Sequence, residues 1–165
     1  MVFVAVGTQK FQLNRLLKAV DGLVEQGVLS GEVFAQVGHS DYQPRHYAHQ
    51  NFLNKEDFQS CISRCDLLIT HSGVATILAG LKLEKPVVVF PRLEKFGEHV
   101  DDHQIQIAKS FSEKNLVLMC GENDDLAEIV KRAGTHTFSR YVSQRDLMAQ
   151  TIRDYLTTID KKDNR

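Results

Sequence analysis

At 165 residues the chain is long enough for one well-buried core and too short for two ordinary domains. Its 42% hydrophobic and 25% charged residues are those of a soluble globular protein, and a net charge of -1 without a basic run gives no electrostatic reason to expect nucleic acid. The longest apolar runs, such as Pro86 to Phe90, fall far short of the ~20 residues of a membrane span. The N-terminus also lacks the basic region and cleavage site of a signal peptide, which points to the cytosol.

Val2 to Val6 is a β-branched apolar run ending at Gly7-Thr8, the pattern of a strand buried on both faces. Leu13, Leu16, Leu17, Val20, Leu23 and Val24 follow at helical spacing, with Gly27 as a stop. Glu32 to Val37 is a second strand closed by Gly38. Residues 39–50 are polar, rich in histidine and without a period, so they are predicted to be a loop whose His39, His46 and His49 are solvated, like His136 further on. Phe52-Leu53 is a short apolar step before Asn54, an N-cap with Asp57 three residues later. Phe58, Cys61, Ile62 and Cys65 then form one helix face, in which the cysteines fit core thiols of a reducing compartment.

Asp66 to Thr70 is another buried strand, closed by His71-Ser72-Gly73, and Val74, Ile77, Leu78 and Leu81 stripe the next helix. Pro86 opens the strand Val87 to Phe90 and Pro91 stops it. A charged loop leads to a helix with Ile105, Ala108 and Phe111, then to the strand Leu116 to Met119. Leu126, Ile129, Val130 and Ala133 stripe a helix ended by Gly134, and Ser143 opens a last helix bearing Met148, Ile152, Tyr155 and Ile159. Strand and helix alternate about six times. That order predicts an α/β fold, a Rossmann-like, doubly wound parallel sheet over residues 1–160, with 161–165 as a tail.

In such a sheet, ligands bind where strand carboxyl ends meet helix N-termini. Two loops there lack bulk and carry hydroxyls, Gly7-Thr8-Gln9 and His71-Ser72-Gly73-Val74-Ala75-Thr76. Unpaired N–H groups at a helix N-terminus suit a diphosphate, and glycine lets the backbone come close. The same glycines equally fit plain strand-to-helix turns, with Ser72 as an N-cap and His71 orienting the turn. Neither G-x-G-x-x-G nor a P-loop motif occurs, against a dinucleotide dehydrogenase and an NTPase. Ser72 lacks the G-x-S-x-G of a hydrolase elbow. Asp101 and Asp102 read as helix-start chemistry and not as a metal set, and His103 and Gln104 offer neighbouring polar groups suited to sugar hydroxyls.

The stretches Asp66 to Leu78, Leu83 to Pro91 and Asp102-His103-Gln104, with the opening Val4 to Phe11, resemble the C-terminal domain of the MurG-like glycosyltransferases, family 28. With its start so near Met1, the chain is similar to the stand-alone, small-subunit version of that domain. The resemblance implies the C-terminal half of a GT-B glycosyltransferase, covering about residues 1–135. It assigns Gly7, Thr8, Gln9, His71, Ser72, Gly73 and Thr76 to the diphosphate, Phe52 and Leu53 to uracil, and His103 and Gln104 to the donor sugar.

The implied substrate is a UDP-sugar, transferred with inversion to a lipid-linked saccharide in capsule, exopolysaccharide or glycan synthesis, with no cofactor and no metal. The general base and acceptor site would lie on a membrane-attached partner subunit that recruits this chain to the inner face of the membrane. Ala79 departs from the family, many members of which carry an acid there for the ribose. A non-catalytic accessory subunit is the alternative, and an epimerase of the same architecture would need a longer chain.

Overall fold

The computed structural model describes residues 1–143. The helix expected from Ser143, with Met148, Ile152, Tyr155 and Ile159, and the tail 161–165 lie outside the described residues. Among the described residues, six strands form one wholly parallel sheet: β1 (Val2–Ala5), β2 (Val33–Gln36), β3 (Ala48–Gln50), β4 (Leu67–Thr70), β5 (Val87–Val89) and β6 (Leu118–Met119). Their order in space is β3-β2-β1-β4-β5-β6. Helices α1 (Asn14–Glu25), α2 (Lys55–Arg64), α3 (Val74–Lys82), α4 (His103–Glu113) and α5 (Leu126–Ala133) connect them.

Alternate side chains of each strand point to opposite faces. Val4, Ala35, Ile69 and Val88 therefore pack with Leu16, Leu17 and Val20 of α1 and Leu126 and Ile129 of α5. Phe3, Ala5, Leu68, Val87 and Val89 face the other way, onto Ile62 of α2, Ile77 and Leu81 of α3 and Ala108 of α4. Two apolar layers on one sheet explain why the central strands are apolar throughout rather than alternating.

The structure corrects the sequence at several points. The third strand is Ala48–Gln50, inside the span expected to be loop, and Phe52-Leu53 follows it without strand pairing. Its burial pattern is exposed, half-buried, exposed, because β3 is an edge strand with no apolar signature to find. In the preceding loop His39 and His46 are exposed, as expected, and His49 is half-buried, while the loop backbone is tied to α1. Asp21, buried in α1, accepts the Tyr42 hydroxyl at 2.7 Å and the His46 N–H at 2.9 Å, His49 pairs with Gln43, and His39 meets Phe52 edge-on. His136, too, is hydrogen-bonded, to Asn115 at 2.6 Å. Helix α2 stops at Arg64, so Cys65 is its extended C-cap, and Cys61 is only half-buried. Asn54 does cap α2, accepting the Asp57 N–H at 2.8 Å.

The chain runs from β1 to β2 and β3 on one side, then returns to lay β4 on the other side of β1. The sheet order thus reverses between β1 and β4. A crevice at that reversal, at the carboxyl ends, is where such sheets take ligands.

Candidate functional site

A cleft of about 630 Å³ opens at this reversal. Its walls include Gly7, Thr8 and Gln9 after β1, His71 to Thr76 after β4, Leu53 to Lys55 ahead of α2, and His99, His103 and Gln104 around the start of α4. Ten of the eleven residues that the family resemblance assigned to ligand contacts therefore line one cavity. Phe52 does not line it; it is 40% exposed and packs beside the wall, against His39.

His71 organises the cradle. Its ring is buried and sits between two glycine turns: a Cβ on Gly7 or on Gly73 would stand 2.6 Å from its Cε1. Gly7 also holds φ at +81°, which a side chain resists. Nδ1 lies 3.3 Å from the Ala5 carbonyl and 3.3 Å from Thr70 Oγ1. A carbonyl only accepts, so that contact puts the proton on Nδ1 and leaves Nε2 bare on the glycine side. Burial, with the neighbouring Arg92 charge, pushes the imidazole down to about 4. At neutral pH His71 is uncharged, so it shapes the turn and lends no positive charge to an anion.

Ser72 is 1% exposed, and among the described residues its hydroxyl has no hydrogen-bond partner, although it lines the cleft. Ser72 is not the N-cap of α3. That position belongs to Gly73, and no side chain caps the helix. The N–H groups of the first turn, from Gly73 to Thr76, border the cleft with the positive end of the helix dipole behind them. The Ser72 N–H is already spent: it donates to Gln104 Oε1 at 3.3 Å.

That same Gln104 oxygen accepts the Arg92 N–H at 3.1 Å. Gln104, 4% exposed, thus ties the loop after β4 to the loop after β5 from the first turn of α4. Sequence placed it only as a sugar contact, and its packing adds this bracing role. His103 beside it is exposed on the rim, its Nδ1 in very short contact with Asp101 Oδ1.

Three contributors escaped sequence reading. Arg92 is wholly buried and donates from Nη2 to the Val6 carbonyl just under the Gly7 turn, while Nε and Nη1 have no hydrogen-bond partner among the described residues. Burial lowers it to about 10, opposed by Glu98, so it stays cationic at neutral pH and puts positive charge behind the cradle. Gln36, at the end of β2, accepts the Leu53 N–H at 3.0 Å and sets that segment against the cleft. His99 is the third. A pattern search finds neither Arg92 nor Gln36, because a lone Arg or Gln in a strand end or loop has no period or motif; His99, by contrast, alternates with Asp101 and His103 along the chain.

Residues 1–162 match the glycosyltransferase family 28 C-terminal domain. The chain belongs to this family.

The human UDP-N-acetylglucosamine transferase subunit ALG13 is 29% identical over 126 residues, which is 72% of this chain and 11% of that protein. A UDP-N-acetylglucosamine–N-acetylmuramyl-(pentapeptide) pyrophosphoryl-undecaprenol N-acetylglucosamine transferase of Prochlorococcus marinus is 30% identical over 78 residues, 45% of this chain and 22% of that enzyme. The chain thus spans well under half the length of these relatives. Among solved structures, the glycotransferase of kitacinnamycin superposes with TM-score 0.61 at 19% identity, over 82% of this chain and 35% of that one. The solution structure of ALG13 superposes with TM-score 0.58 at 18% identity, over 86% of this chain and 89% of that one. The fold is that of the C-terminal half of GT-B glycosyltransferases.

In this family 28 domain, Ala79 is half-buried, packs against the apolar layer of α2, α3 and α4, and does not line the cleft. Asn54 and Lys55, which do line the cleft, offer polar groups on the side of Leu53. Among the described residues, no helix is long and apolar enough to cross a membrane.

Proposed function

We propose that this cleft binds a UDP-sugar and that the chain is the donor-binding half of an inverting glycosyltransferase. The observation that carries this is the buried Ser72 hydroxyl, unpartnered and lining a cleft beside an uncapped helix N-terminus. Such a donor costs about 1–3 kcal/mol if nothing accepts from it. A diphosphate seated there takes it, together with the N–H groups of residues 73–76 and the hydroxyls of Thr8 and Thr76. When the sugar leaves, charge develops on the β-phosphate, and these fixed donors stabilise it with no obligatory metal or cofactor. Leu53 lies where the uracil ring packs, and His103 faces the sugar. The relatives' names make UDP-N-acetylglucosamine the first donor to try.

No acceptor base is assigned to this chain. It is supplied by a membrane-attached partner subunit carrying a lipid-linked saccharide, which brings the chain from the cytosol to the inner membrane face. One relative is itself named a subunit. Exposed Val74, Phe96 and Val100 stand at the carboxyl edge of the sheet, where a partner would close over the cleft. The product belongs to glycan, capsule or exopolysaccharide synthesis. Isothermal titration of the chain with UDP tests the reading: binding near one equivalent supports it. A chain inert to millimolar UDP is an accessory subunit instead.

A further inference from the structure

The rim of the cleft carries a second cluster that the diphosphate cradle does not use. His99, Asp101 and His103 alternate along the segment entering α4, and one ligand atom from each lies within 4.8 Å of the others. His99 Nδ1 stands 3.2 Å from Asp101 Oδ1. In a tetrahedral zinc site with ~2.0–2.1 Å bonds, neighbouring ligand atoms are about 3.4 Å apart. That pair is already at coordination spacing.

The independent observation is His99 itself. Its side chain is 7% exposed, and its Nδ1, although 3.2 Å from Asp101 Oδ1, forms no hydrogen bond among the described residues. Phe11 at 5.2 Å and His103 at 4.6 Å between ring centroids hold the ring in place. A buried nitrogen that forms no hydrogen bond among the described residues, beside a carboxylate and a second imidazole, is available as a ligand atom. Asp101 and His103 are 55% and 45% exposed at their side chains, so their mutual contact is free to open around an ion.

We propose that His99, Asp101 and His103 form a three-ligand site for a borderline transition-metal dication of the zinc class. Two imidazoles and one carboxylate, with a fourth position open to water, suit such an ion, whereas magnesium and calcium prefer oxygen ligands alone. Sequence took Asp101 for helix-start chemistry, although His99 and His103 flank it at two residues on either side; what the fold adds is the burial of the His99 ring. His103 is also a proposed sugar contact, so zinc and the donor sugar compete for one imidazole. That consequence rests on the donor-binding proposal; the site does not.

The test is calorimetric titration of ZnCl₂ into the full, tag-free, metal-free chain, with Co²⁺ absorption reporting coordination. One equivalent of Zn²⁺ should bind, Mg²⁺ should not compete, and Co²⁺ should give the intense visible bands of a tetrahedral site. D101N and H103Q should each weaken Zn²⁺ binding more than about 100-fold, since loss of even an outer-shell partner costs 10–100-fold. Both positions are exposed, so unchanged apo melting shows that the loss is not unfolding. Absence of binding, binding indifferent to both variants, or binding abolished by C61S or H39Q overturns the site. Zinc should also weaken binding of UDP-N-acetylglucosamine and spare UDP. A chain that binds zinc but never UDP refutes the donor proposal and leaves the site standing.

Discussion

His71 and Gly73 are packed so that one added carbon on the glycine would stand 2.6 Å from the imidazole Cε1. No real Cβ tolerates that distance, and the ring has no room to retreat, because Gly7 presses on it from the loop after β1. The two loops that form the cradle are held in register by a neutral ring between two absent side chains.

Gly73→Ala should therefore push His71 and open the cradle. Overpacking costs about 1–3 kcal/mol, and UDP affinity should fall roughly ten- to hundredfold, at 1.4 kcal/mol per tenfold. Gly31→Ala, where a Cβ meets nothing within 4 Å, is the control and should bind UDP normally. Equal affinities for the two variants would show that the cradle does not depend on this packing.

Ser72→Ala should separate stability from function. Deleting an unpartnered buried hydroxyl removes a desolvation cost, so the melting temperature should hold or rise. Transfer in the reconstituted enzyme at saturating donor should slow about 100-fold, the scale of one lost oxyanion-type donor at ~3 kcal/mol. Unaltered turnover removes Ser72 from the diphosphate site.

Replacing Gln104 by Met should leave the N–H groups of Ser72 and Arg92 buried and unpaired. At about 1–3 kcal/mol for each orphaned donor, urea unfolding should show a loss of roughly 2–5 kcal/mol. Gln104→Glu keeps the accepting oxygen and should lose less. If the two variants unfold alike, the brace is not what Gln104 contributes.

Acid should weaken the fold through His71. Its folded value of about 4 lies below the ordinary 6.5, so the unfolded chain takes up a proton that the folded chain refuses. Stability from this group is full above about pH 6.5 and drains as pH falls toward 4, by roughly 3 kcal/mol in all. His71→Asn should flatten that part of the profile between pH 7 and 4.5, measured as the difference in unfolding free energy from the parent. Parallel profiles would mean that His71 does not titrate as buried.

The parallel sheet was legible because its central strands are unbroken apolar runs and its helices are striped at helical spacing, patterns that local sequence carries in full. Strand β3 was not: Ala48, His49 and Gln50 form an edge that buries little. That the turns Gly7-Thr8 and Ser72-Gly73 border the cleft was readable, since in a parallel α/β sheet the cleft lies where strand carboxyl ends meet helix N-termini. Phe52 was set against a ligand, yet it leans on His39 outside the wall; a residue's direction off an irregular segment depends on what its neighbours pack against.

By itself the sequence determined the α/β class, the position of the cleft at the strand carboxyl ends and most of its lining, because these follow from periodicity and turn chemistry within short windows. Tertiary structure alone decided that Gln104 braces two loops, that Arg92 lies charged beneath the cleft and that His71 is neutral. Each depends on burial and on contacts between separate segments, and neither burial nor partnership is written in a residue's own neighbourhood along the chain.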